Sequence, residues 1–105
     1  MSQGEGIGRL AATIEARRGA DPDSSWTARL LADPERAAKK FGEEAVEAVI
    51  EAVRGDRERL VSEAADAAYH LLVMCAAQGV TLSDIEAELG RREGRSGIAE
   101  KASRS

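Results

Sequence analysis

The stretch GEEAVEAVIEAVRGDRERLVSEAAD, Gly42 to Asp66, decides the fold. On both sides of Gly55 the apolar residues recur at helical spacing. Gly55 stops one helix and Asp56 caps the next. Upstream, Asp33 as N-cap and Pro34 at the first helical position start a helix that is predicted to run to about Arg54. Ala37, Phe41, Ala45, Ala48, Val49 and Ala52 form its apolar side. Downstream, a second long helix is predicted from about Arg57 to Gln78, with Gly79 as its stop. Its apolar residues are Leu60, Val61, Ala64, Ala67, Ala68, Leu71, Leu72 and Met74. A connection this short folds two helices back as an antiparallel hairpin.

Shorter helices flank the hairpin. One runs from about Ile7 to Arg18 and stops at Gly19; another spans Trp26 to Ala32. Thr81, with Asp84 three residues on, opens a last helix to about Glu93. No segment alternates apolar and polar residues with β-branched enrichment, so the predicted class is all-α. The 105 residues make one domain, with an ordered core over about residues 7–93 and a tail over 94–105.

Composition narrows the function classes. Fifteen basic and 19 acidic residues leave a net charge of −4. That balance argues against a nucleic-acid binder or a partner of anionic membranes. The longest apolar stretch, Ala64 to Ala77, is broken by Asp66 and His70 and reads as too short and too polar to span a bilayer. No basic segment followed by an apolar run opens the chain, so no signal peptide is expected. The single Cys75 excludes an internal disulfide and points to a reducing, cytoplasmic setting. Aromatic residues are only 3%, so the core must be aliphatic and small. Association of two copies would help to cover it.

The hairpin has chemical content. Glu47 and Glu63 each lie eight residues from Gly55, and Glu44 and Asp66 each lie eleven. Antiparallel helices put such pairs at one height, and i, i+3 spacing puts both acids of a helix on one face. Four carboxylates thus converge about 12 to 17 Å from the turn. Left bare, they raise one another's pKa. A hard divalent cation, Mg²⁺ or Mn²⁺, relieves that and suits oxygen-only ligands. A solvated acidic face is the competing reading. A di-iron bundle is excluded within one chain, because it needs Glu-x-x-His on two helices and this chain has one His. The same geometry pairs Glu51 with Arg59, and Lys40 with His70.

Gly42-Glu43-Glu44-Ala45-Val46-Glu47 followed by Glu63-Ala64-Ala65-Asp66 resembles the acidic signature of the MazG-like all-α nucleoside triphosphate pyrophosphohydrolases. Several flanking words resemble the phosphoribosyl-ATP pyrophosphatase family of histidine biosynthesis in particular. They are Ser25-Trp26-Thr27-Ala28-Arg29-Leu30-Leu31, Lys39-Lys40-Phe41-Gly42-Glu43-Glu44, Glu63 to Leu72, and Gly94-Arg95-Ser96-Gly97 with Glu100-Lys101-Ala102-Ser103-Arg104. The resemblance covers nearly the whole chain from about Ile7. Trp26 stands where the family more often has Tyr.

The resemblance implies a homodimer whose hairpins pack into four-helix bundles. It implies hydrolysis of the α–β phosphoanhydride of phosphoribosyl-ATP to phosphoribosyl-AMP and pyrophosphate, the second step of that pathway. Glu44, Glu47, Glu63 and Asp66 would then hold Mg²⁺, directly or through water. Glu43 is the candidate to position or deprotonate the attacking water, with Glu47 the alternative. Lys39, Lys40, Arg95 and Ser96 would contact phosphate or ribose. His70 would hydrogen-bond a metal ligand. Trp26 is expected to pack in the core, with stacking on adenine as the other role. Two other readings compete: a house-cleaning pyrophosphohydrolase for another nucleotide, and a non-catalytic helical interaction module.

Overall fold

The computed structural model describes residues 5–94. Those residues form five helices and no strand: α1 (Glu5–Ala16), α2 (Trp26–Leu31), α3 (Pro34–Arg54), α4 (Arg57–Ala77) and α5 (Leu82–Arg91). The all-α expectation holds.

The two long helices begin and end where their caps dictate. The Asp33 carboxylate accepts from the Arg36 N–H, with Pro34 filling the first turn of α3. Gly55 closes α3 in the left-handed region at φ 76°, which costs a glycine little. The N–H groups of Gly55 and Asp56 both fold back onto the Glu51 carbonyl. Asp56 then caps α4 through the Arg59 N–H. Two residues thus reverse the chain, and α3 packs against α4 along the hairpin. The Thr81–Asp84 capping box is fully formed at the start of α5.

The core sits toward the end of the hairpin remote from this turn. Ile14 of α1, Leu30 of α2, Ala37 of α3, and Leu72, Val73 and Ala76 of α4 are buried together. Leu10, Leu31, Tyr69, Met74, Leu82 and Ile85 pack around them. Arg18 ties the loop after α1 to this end, donating from Nη2 to the Ala76 carbonyl at 2.7 Å. The Thr27 and Tyr69 hydroxyls meet at 2.5 Å and pin α2 to α4.

Three expectations change. First, Val49 is exposed, and with Val46, Ile50 and Val53 it forms a stripe that is 41–83% exposed. Its i, i+3, i+4, i+7 spacing puts the stripe on the side of α3 turned away from α4, so α3 has two apolar sides rather than one. Second, Trp26 is not a core residue; it is 44% exposed. The first turn of α2 is oriented by the buried Ala28 and Leu30, which leaves the indole at the surface. Third, α4 runs over Arg57–Ala77 as expected, but as a whole it is more apolar than the stretch Ala64 to Ala77 suggested. Its 21 residues include a window long and apolar enough, by length and composition alone, to cross a membrane. Packing against α1, α2 and α3 buries Leu72, Val73 and Ala76 of it, and Glu63 and Asp66 interrupt it midway.

Candidate active site

Toward the turn, the facing sides of α3 and α4 bring acids together. Glu44 of α3 and Glu63 and Asp66 of α4 each bring one carboxylate oxygen to within 4.8 Å of the others. Glu44 and Glu63 are half-buried and Asp66 is exposed, so the cluster opens to solvent on the Asp66 side. Burial pushes the Glu63 carboxyl above its ordinary range, and the charges of Asp66, Glu44, Glu47 and Glu51 push it further. These are like charges with few cations among them. Lys40 is the nearest partner: its Nζ lies 3.7 Å from Glu43 Oε1 and 3.7 Å from Glu44 Oε1.

The donor set is all carboxylate oxygen, and burial and crowding disfavour the ionised form of Glu63. That fits a hard divalent cation and does not fit a thiolate or imidazole metal. Glu44, Glu63 and Asp66 form the close triad, with Glu47 near enough to act on the Glu63 charge.

Other expected site residues fall in different places. Glu43 stands at the rim, exposed, sharing Lys40 with Glu44. Lys39 is exposed and lines a separate shallow hollow with Asp33, Glu35 and Arg36. Arg95 and Ser96 lie outside the described residues. His70 is buried, 8% exposed, and its Nδ1 lies 2.8 Å from the Asp66 main-chain carbonyl. A carbonyl can only accept, so Nδ1 is the donor. Nε2 has no hydrogen-bond partner among the described residues.

Glu51 was missed. The equal-distance geometry paired it with Arg59, yet Arg59 pairs with Asp56 in the cap of its own helix at 3.6 Å. Glu51 is only 6% exposed. Its Oε1 accepts no hydrogen bond among the described residues, and the Arg54 Nε is 3.9 Å away. The signal was present: Glu44, Glu47 and Glu51 recur at i, i+3, i+7, so all three share the face toward α4. A hollow of about 380 Å³ between α1, α4 and α5 is lined by none of the clustered acids.

Residues 7–93 match the family described as phosphoribosyl-ATP pyrophosphohydrolase. A protein named phosphoribosyl-ATP pyrophosphatase from Cereibacter sphaeroides is 76% identical over 97 residues, covering 91% of this chain and 94% of its own. Proteins of the same name from Paracoccus denitrificans and Jannaschia sp. are each 73% identical, covering 94% and 91% of this chain and 93% and 95% of theirs.

Proposed function

The chain belongs to the phosphoribosyl-ATP pyrophosphohydrolase family, and from that premise we propose how its residues divide the work. The activity is hydrolysis of phosphoribosyl-ATP to phosphoribosyl-AMP and pyrophosphate in histidine biosynthesis. The observation that carries the site assignment is the close approach of Glu44, Glu63 and Asp66 across the hairpin.

Glu44, Glu63 and Asp66, with Glu47 beside them, are the residues to hold a divalent cation, for which Mg²⁺ is proposed and Mn²⁺ is an acceptable substitute. When bound, such a cation offsets the triphosphate charge and stabilises the departing pyrophosphate. Glu43 is the proposed group that orients the attacking water and takes its proton, since its carboxylate is exposed at the rim. Glu47 is the alternative, favoured by its reach to Glu63. Lys40, already at the rim beside Glu43 and Glu44, is placed to meet a phosphate oxygen. Lys39, Arg95 and Ser96 are proposed as further phosphate or ribose contacts. His70 supports Asp66 from behind by holding its carbonyl.

Two copies are proposed to associate through the stripe Val46, Val49, Ile50 and Val53, an apolar face that a single chain leaves in water. The whole chain is proposed to act as one domain in the cytoplasm, which suits its free Cys75.

The test is pyrophosphate release from phosphoribosyl-ATP and from ordinary nucleoside triphosphates, with and without Mg²⁺, for wild type and Glu63→Ala. Mg²⁺-dependent release confined to phosphoribosyl-ATP and lost in the variant is expected. Equal turnover of other triphosphates would move the chain to a house-cleaning role.

A further inference from the structure

Trp26 is the only tryptophan in the chain and is 44% exposed. Single exposed apolar side chains are ordinary, so position decides whether this one matters. Its neighbour Thr27 is bonded at 2.5 Å to Tyr69. Tyr69 lies three residues beyond Asp66 on α4, about 4.5 Å further along the helix axis. Leu30, one turn after Trp26, is buried in one cluster with Val73, one turn after Tyr69. Helix α2 therefore runs alongside α4 in the same direction. Its starting end, which carries Trp26, is the end nearer the acids.

The indole lies on the flank of α2, partly covered and partly open. Ser25 caps the helix through the Ala28 N–H, and Ala28 and Leu30 take the inward positions. A large flat apolar surface is thus held at the level of the site and left open to solvent. We propose that Trp26 is the stacking platform for the purine base of the substrate. This rests on the reading of the acid cluster as the phosphate-reaction centre. In a nucleotide the base lies one ribose away from the α-phosphate, and the acids mark where the α–β linkage must lie. Aromatic rings hold bases face to face in a sequence-tolerant way, and indole has the largest face available.

The lone tryptophan is its own reporter. Its emission in the full-length wild-type protein, with Mg²⁺ present, is followed as AMP, ATP or inorganic tripolyphosphate is added. Quenching by both adenine nucleotides and none by tripolyphosphate is expected. Steady-state kinetics on phosphoribosyl-ATP supply the second readout. Trp26→Leu keeps an apolar side chain without a ring, and its KM rises about ten- to hundredfold, with the loss falling on KM rather than kcat. Trp26→Tyr retains most of the affinity. Equal quenching by tripolyphosphate, emission that follows protein concentration instead of nucleotide, or a Trp26→Leu KM equal to wild type would each overturn the stack. The two readings fail separately. Turnover of phosphoribosyl-ATP without adenine quenching removes the stack alone. Adenine quenching without turnover keeps the stack and removes the assigned reaction.

Discussion

His70 Nδ1 donates to the main-chain carbonyl of Asp66 across 2.8 Å, one helical turn back along α4. The same carbonyl is the helix acceptor for the His70 N–H, so it takes two donors. That fixes the backbone at the residue whose carboxylate completes the acid triad. His70→Ala removes the side-chain donor and leaves a void. The Mg²⁺ concentration that half-saturates turnover should rise at least about tenfold, as for other supports behind metal ligands. A cation titration of the variant checks this. An unchanged midpoint would reduce His70 to a packing residue.

Glu63 is held above the ordinary carboxylate range by burial first and by its acidic neighbours next. Its charged form is therefore disfavoured in the folded, cation-free protein near neutral pH. Glu63→Gln should raise the melting temperature without divalent cation, by about 1–4 °C. It should also abolish the rise that Mg²⁺ produces in wild type and cut turnover by about 100-fold or more. Melting curves with EDTA and with Mg²⁺ separate these effects. A variant that melts lower in EDTA contradicts the account of repulsion.

Ile50 and its three valine neighbours leave an apolar stripe on the outer side of α3. Ile50→Asp puts a charge in the middle of that stripe, and a charge desolvated without a partner is costly. The variant should elute at half the wild-type mass in size-exclusion chromatography with light scattering. Wild type eluting as a monomer would sink the dimer.

Much of this was legible beforehand. Asp33-Pro34 and Gly55-Asp56 fix the hairpin ends through local capping, which needs no tertiary information. The equal distances of Glu44 and Asp66 from Gly55 placed them together because the turn is so short. The exposure of Trp26 and Val49 was not legible. On α3 both sides carry aliphatic residues, so periodicity alone does not say which side meets α4. Trp26 is hydrophobic, and in an aliphatic chain it is the natural candidate for a core it does not enter. Glu51 was misassigned because a nearby Arg looked like its partner, while that Arg was engaged with a helix cap.

The last turn of α5 carries a local charge device. Hydrogen bonds from Arg91 and then Arg92 lower the Glu88 carboxyl to about 2. A depressed carboxylate pKa contributes stability above the ordinary value of 4.5 that is lost as pH falls through about 2. Glu88→Gln should therefore melt slightly below wild type at pH 6, by at most about 3 °C for so exposed a pair. The gap should close as pH drops toward 2. A gap that widens in acid would reverse the sign and refute the assignment. Parallel thermal melts across that range provide the measurement.

The reversal at Gly55 and Asp56 leaves no slack between the two halves of the acid cluster. One extra residue there would turn α4 by about 100° and slide it by about 1.5 Å against α3. Glu63 and Asp66 would then face a different neighbour, although no residue of the cluster had changed. Substitutions in the turn are therefore a matter of stability, whereas insertions and deletions are a matter of chemistry. Among descendants of this chain, the number of residues from Glu44 to Asp66 should drift far less than their identity.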